Sequence, residues 1–313
     1  MSPSFLIVGA TGNTGRGVVE TLSKLLQTSQ KFSNHRILAL TRSSNSSIAK
    51  QLSELPHVEV LEQNWPEITA QWLREHEVVR AFIASHNLPN QFAEESTFQN
   101  AALRAGVEYV VRISTTAANV RPDCNAYYPR THWAIEAMLD SPAFEKLQWT
   151  SLQPNVFTTF YLSGAAELIK RVRNGEEQGT LSMIADADTP VGIIDPREVG
   201  VVAAQLLLQD DISAHNKRRY VLNGPEDITG NQIVAMVEER IGAKVKEVRF
   251  KDLSFVKDMA AASQESENVI SSIQYAPETA WEGLCKAETM SKEVLELAAP
   301  KKTPADALAE MLQ

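Results

Sequence analysis

Short runs of β-branched and large apolar residues recur through the first half of the chain: FLIVGA at 5–10, RILALT at 36–41, VEVLEQ at 58–63, VVRAFIAS at 78–85 and VEYVVRIS at 107–114. Between them the apolar period changes. Val18, Val19, Leu22, Leu25 and Leu26 fall on one stripe at the i, i+3, i+4, i+7 spacing of an amphipathic helix. Strands that alternate with helices in this way predict βαβ crossovers and a parallel sheet. Near-continuous Val, Ile and Leu within the strands predicts helices on both faces, a doubly wound Rossmann-type α/β fold.

Further along, QWTSLQ (148–153) reads as a sixth strand, followed by a loop and helix over 154–175, a short strand within 179–187 and another at 218–224. In IIDPREVGVVAAQLLLQ (193–209), Asp195 is placed as N-cap and Pro196 at the first helical position. From Pro225 on, helical patterns dominate, broken by the strand-like KVKEVRF (244–250). The expected division is a nucleotide-binding domain from 1–153 and 186–224, with a smaller, mostly helical lobe from 154–185 and 225–313 over the carboxyl ends of the strands.

The first strand runs into GATGNTG, with glycines at 9, 12 and 15. A strand that turns directly into a helix leaves unpaired N–H groups at the helix N-terminus, where a pyrophosphate accepts them. Gly9 ends the strand, Gly12 keeps a side chain off the phosphates and Gly15 permits close helix-to-strand packing. The second strand ends LALTRSS with no acidic residue to bind a ribose 2′-hydroxyl. Arg42, with Thr41, Ser43 and Ser44, instead makes a cationic, donor-rich end suited to a 2′-phosphate, which favours NADP(H) over NAD(H).

Composition narrows the rest. With Lys+Arg 30 against Asp+Glu 39, the formal net charge of −9 argues against a sequence-independent nucleic-acid binder. No apolar stretch reaches membrane-spanning length, and no basic leader precedes the apolar run near the start, so a soluble, cytoplasmic protein with no membrane partner is expected. Cys124 and Cys285 are too few and too scattered for a disulfide framework, and neither they nor the histidines show metal-ligand spacing. No metal site is expected. No G-x-S-x-G elbow or S-x-x-K pair offers a hydrolase nucleophile.

GATGNTG with Arg42, YYPRTHWAIEAML (127–139), WTSLQPNVF (149–157) and IIDPREVG (193–200) together resemble the NmrA-like branch of the atypical short-chain dehydrogenases/reductases. That branch includes NADP(H)-preferring reductases of quinones, dyes and phenylpropanoids, and regulators that bind the dinucleotide without turnover. The resemblance implies that Gly9, Thr11, Gly12, Asn13, Thr14 and Gly15 cradle the pyrophosphate and that Arg42 faces the 2′-phosphate. It further implies Asn64 beside the adenine, Ser85 along the ribose and nicotinamide, and the Pro154–Phe157 turn beside the nicotinamide ring. Asp195 and Arg197 match a motif that braces the lobe to the sheet.

The wider superfamily uses a Tyr-x-x-x-Lys pair in which lysine lowers the tyrosine pKa. Here the spacing is Tyr128-Pro-Arg-Thr-His132, with histidine in place of lysine, as in quinone- and dye-reducing members. Tyr128 is thus the candidate proton donor, and His132 is either a candidate for ribose binding or proton relay or a satisfied structural histidine. Pro129 is expected at the first helical position, with Tyr128 at the cap. Glu136 lies one turn beyond His132, where it either orients the imidazole or forms a surface pair. Ser114 and Thr115 end the fifth strand, where the superfamily keeps a substrate-orienting hydroxyl. Phe157, Phe160 and Tyr161 either line an apolar pocket over the nicotinamide or belong to the core.

Two functions stay open. One is an NADPH-dependent oxidoreductase acting on a small apolar acceptor such as a quinone, enone or aromatic carbonyl. The other is a catalytically silent NADP(H) sensor acting through a protein partner. An apolar cavity beside the nicotinamide would favour the first, a solid lobe or exposed groove the second. The polar stretch 261–272 reads as either a mobile lid or a partner-facing loop.

Overall fold

The computed structural model describes residues 2–313. Its strands are β1 (Ser4–Val8), β2 (Arg36–Thr41), β3 (Val58–Glu62), β4 (Val78–Ile83), β5 (Tyr109–Ile113), β6 (Gln148–Pro154), β7 (Thr180–Ser182), β8 (Arg218–Leu222) and β9 (Glu247–Arg249). Seven of them form one parallel sheet in the order β3-β2-β1-β4-β5-β6-β8, while β7 pairs with β9 apart from it. The main helices are α1 (Asn13–Leu26), α2 (Ser47–Ser53), α3 (Ala70–Glu75), α4 (Gln91–Ala105), α5 (Tyr127–Asp140), α6 (Thr158–Tyr161), α7 (Ser163–Arg173), α8 (Pro196–Leu207) and α9 (Gly230–Ile241).

Alternation along β1 explains the two layers of core. Phe5 and Ile7 pack with Val18 and Leu22 of α1 and Val199 of α8, whereas Leu6 and Val8 face Leu73, Phe98 and Ile135 of α3, α4 and α5. Every residue of β1 is buried, as a central parallel strand requires. The chain builds outward from β1 to β2 and β3, then crosses back from β3 to β4 on the other side of β1, and the loops at the carboxyl ends splay apart at this reversal and leave a crevice.

α1 and α8 cross closely because glycine stands on both sides of the contact. A Cβ at Gly200 would lie 2.6 Å from the Thr14 carbonyl oxygen, and one at Gly17 would lie 2.7 Å from that of Arg197. Asp195 caps α8 by accepting from the Arg197 N–H at 2.7 Å, and its other oxygen pairs with Lys302 at 2.8 Å. The motif around Asp195 therefore ties the C-terminal segment to the sheet.

A third core, including Leu162, Ile169, Leu181, Ile233 and Leu308, fills the smaller lobe. Part of the segment expected in the lobe packs on the large sheet. Helix Lys292–Ala298 leaves the lobe and packs Val294 into the core beneath α8, while the Ser291 N–H donates to the Val221 carbonyl on β8 at 3.0 Å. Its apolar face finds the uncovered edge of the large sheet.

Candidate functional site

The glycine loop folds around one contact. Gly9 sits at φ +79°, in the left-handed region, and a Cβ there would meet the Ala84 carbonyl oxygen at 2.9 Å. A Cβ at Gly15 would lie 2.1 Å from the Gly9 carbonyl oxygen, so only glycine lets α1 start this close to β1. Gly12 is the N-cap of α1 and supplies no side-chain cap. The first-turn N–H groups of Asn13, Thr14 and Gly15 thus have no intrahelical acceptor, and no acidic residue opposes an anion there.

These groups open into a cleft of about 680 Å³ along the carboxyl ends of the strands. Of the residues expected to meet a dinucleotide, Gly9, Thr11, Gly12, Asn13, Thr14 and Gly15 line one end of it. Arg42, Ser85, Ser114, Tyr128, Pro154 and Phe157 line the remainder. The Ser114 hydroxyl is buried with no hydrogen-bond partner.

Several expectations need correction. Asn64 does not line the cleft. Its amide donates to Glu67 Oε1 at 3.1 Å, while its neighbours Gln63 and Trp65 form that wall, because successive side chains of an extended segment point to opposite sides. At the end of β2, Thr41 and Ser44 are committed elsewhere. Thr41 Oγ1 accepts from the Ser43 N–H at 3.1 Å, and both the N–H and hydroxyl of Ser44 donate to Glu62 Oε2, which holds that carboxyl below its ordinary pKa. Arg42 remains exposed in the cleft.

Helix α5 begins two residues earlier than its proline suggests: Ala126 is the N-cap and Tyr127 the first helical residue, so Pro129 is third, where its missing N–H still costs nothing. His132 is not in the cleft. It is buried behind it, with Nδ1 2.8 Å from Arg112 Nη2 and Nε2 3.0 Å from Asn87 Oδ1. Burial first, and the Arg112 charge second, hold its pKa well below the ordinary value, so the ring is neutral. Tyr128 is not among its hydrogen-bond partners, and burial pushes the Tyr128 pKa up to about 12. Nor does Glu136 orient His132. It is itself buried and accepts from Ser151, Gln153, Arg112 and Arg219.

The network around His132 is built on Arg112, which is fully buried. Its guanidinium pairs with Glu95 at 2.6 Å and reaches Ser151 at 3.0 Å and Glu136 at 3.4 Å. The Ser85 hydroxyl also donates to Glu95, at 2.7 Å, so this cleft residue is turned inward. Sequence reasoning missed Arg112, Glu95 and Asn87. A charged residue inside VEYVVRIS, on a strand otherwise apolar, was the available signal for Arg112.

Beside the cleft, under the smaller lobe, lies a second space of about 660 Å³. The two share walls: Asn87, Thr116, Tyr128, Asn155, Val156 and Phe160 border both. The far side is apolar, with Phe255, Met259, Ile270, Ile273 and Trp281. Phe160 and Tyr161 line it, and Tyr161 presents a buried hydroxyl with no partner. The stretch 261–272 forms one wall: helix Glu267–Ser271 turns Ile270 inward, and the Tyr127 N–H donates to Ser272 Oγ at 3.1 Å. Among the described residues no group of side chains is arranged to hold a metal ion, and no helix is long and apolar enough to cross a membrane.

A profile of the NmrA-like family matches residues 1–302. The NADPH-dependent quinone oxidoreductase of Escherichia coli, solved with NADPH, superposes with a TM-score of 0.72 at 22% identity, covering 99% of this chain and 100% of that one. The Citrobacter sp. triphenylmethane reductase complexed with NADP(H) gives 0.69 at 18% identity, with coverage of 99% and 100%. At these identities the likeness concerns the fold. A curated relative from Streptomyces griseus subsp. griseus, a (4-alkanoyl-5-oxo-2,5-dihydrofuran-3-yl)methyl phosphate reductase, is 30% identical over 154 residues, 49% of this chain. The chain spans about half the length of that relative, 48%.

Proposed function

The chain belongs to the NmrA-like family, and from that premise we propose that it is an NADPH-dependent reductase of a small, uncharged, conjugated acceptor such as a quinone, enone or aromatic carbonyl. The observation that supports this most is the apolar cavity that shares a wall with the cleft. An acceptor there would lie against the nicotinamide end of a dinucleotide, beneath the smaller lobe.

The cleft fits the cofactor on its own chemistry. An uncapped helix N-terminus would hold the pyrophosphate, exposed Arg42 would face the extra phosphate, and the unpartnered Ser114 hydroxyl offers a bond to a polar group of the cofactor. Bound there, NADPH supplies a hydride with its electron pair to the acceptor, and a proton from solvent completes the reduction. Gln63 and Trp65 would flank the adenine, and Pro154 and Phe157 the nicotinamide, of a dinucleotide held in this cleft.

The cavity also constrains the acceptor. No Lys, Arg, Asp or Glu lines it, so a phosphate ester of the kind named for the Streptomyces relative would find no counter-charge. A neutral acceptor fits. The orphan Tyr161 hydroxyl favours one with a hydrogen-bond acceptor oxygen.

The test is NADPH oxidation by the purified protein with a panel of quinones, enones and aromatic aldehydes, beside a titration of NADPH binding. Turnover is expected with neutral conjugated acceptors. Tight binding without turnover across the panel would overturn the reductase and favour a sensor that acts through a protein partner.

A further inference from the structure

Asn87 stands where cleft and cavity meet, and both of its ends are held by α5. The Tyr127 hydroxyl donates to its backbone carbonyl, and His132 holds its side chain. The orientation of that side chain follows from the chemistry of the buried network. Arginine has only donors, so His132 Nδ1, 2.8 Å from Arg112 Nη2, must be the acceptor. In a neutral imidazole the proton then sits on Nε2, which donates to Asn87 Oδ1 at 3.0 Å. The Asn87 amide nitrogen is thereby left with both N–H groups free at the boundary of the two spaces.

We propose that the Asn87 side-chain amide is the hydrogen-bond donor that receives the carbonyl oxygen of the acceptor, and that His132 is a positioning residue that fixes this donor through Arg112 and Glu95. The inference deepens the reductase reading and rests on it. As hydride reaches a conjugated carbon, one electron pair moves through the double bonds onto the carbonyl oxygen. The Asn87 N–H stabilises that oxygen without giving up its proton, and the proton that ends the reaction comes from solvent. A donor fixed before the substrate arrives needs no reorganisation as charge develops. The relay supplies that rigidity: Glu95 fixes Arg112 at 2.6 Å, and the neighbouring loop is closed by the Leu88 N–H donating to His86 Nδ1 at 3.0 Å and by His86 with Glu94 at 2.6 Å.

The experiment compares wild type with Asn87→Asp, His132→Gln and His132→Leu, using 1,4-naphthoquinone as acceptor. It reads kcat, the Kd of NADPH, and the Kd of the quinone measured without NADPH by quenching of protein fluorescence. Asn87→Asp keeps an acceptor for His132 but presents oxygen lone pairs to the carbonyl. Its kcat should fall about 100-fold and quinone binding should weaken, with the Kd of NADPH within about twofold of wild type. His132→Gln, which retains a donor for Asn87 and an acceptor for Arg112, should keep more of kcat than His132→Leu. If wild type turns over and Asn87→Asp matches it in kcat and quinone binding, the Asn87 assignment is wrong while the reductase stands. A wild type with no turnover on any acceptor overturns the reductase reading and this one with it.

Discussion

Replacing Arg42 with alanine should separate the two nicotinamide cofactors. The Arg42 side chain is exposed at the end of β2 and borders the cleft without an ion pair among the described residues, so its removal should leave stability within about 0.5 kcal/mol. A charge-assisted hydrogen bond contributes about 1.5–3 kcal/mol, roughly a 10- to 150-fold change in Kd. Solvent and salt reach this site, which puts the expectation near the lower end, about 10- to 30-fold weaker NADPH binding. NADH lacks the extra phosphate, so its Kd should change by about twofold or less. Titrations with both cofactors at low and high salt read the effect, and the NADPH penalty should shrink as salt rises. Equal losses for the two cofactors would show that Arg42 does not face the 2′-phosphate.

Three other perturbations test separate parts of the argument. Gly200→Ala would drive a Cβ to 2.6 Å from the Thr14 carbonyl oxygen, and this overpacking should cost about 1–3 kcal/mol and weaken NADPH by shifting the first turn of α1; an unchanged Tm would refute the tight crossing. Tyr161→Phe removes a buried hydroxyl with no partner, so the free protein should gain about 1 kcal/mol in urea unfolding while the acceptor KM rises; a loss of stability would mean that the hydroxyl is satisfied. His132 has a folded pKa well below 6.5, so the unfolded chain binds a proton that the native one refuses, and stability is lost as pH falls below about 6.5. His132→Gln should flatten that slope by up to about 1.4 kcal/mol per pH unit, and an unchanged slope between pH 5 and 6.5 would contradict a neutral native imidazole.

The glycine loop at one end of the cleft was legible in the sequence because its physics is local. Gly9, Gly12 and Gly15 answer to backbone contacts within one strand-turn-helix unit, and that unit is spelled out in consecutive residues. Strand positions followed from apolar runs for the same reason. What escaped depends on residues distant in sequence. Asn87 is a loop residue whose meaning comes from His132 on α5, which is read in turn by Arg112 on β5 and Glu95 on α4. Spacing along one helix suggested Glu136 as the partner of His132; the sheet brought in Arg112 instead, and Glu136 turned toward Arg219 and Ser151. The sequence offered Phe160 and Tyr161 as pocket or core without deciding, since the cavity is closed by side chains from 86 to 285 that meet only in the folded chain.

This buried network also bears on why position 132 is a histidine. A lysine ammonium there would stand beside Arg112, whose Nη2 lies 2.8 Å from the present ring nitrogen, and two buried cations at that range repel strongly. The nearby carboxylates are already taken: Glu95 grips Arg112 through both oxygens, and Glu136 is shared between Arg112 and Arg219. Only a neutral group with one acceptor and one donor fits, which is what a histidine protonated on Nε2 offers. The consequence falls on Tyr128. Without a cation to draw it down, burial leaves its pKa near 12, too high for the tyrosine to work as a ready acid at neutral pH. A site that has a fixed amide donor but no strong acid suits acceptors whose own conjugation delocalises the incoming electron pair. Simple unconjugated ketones, which need a proton as the alkoxide forms, should react far more slowly than quinones of the same size.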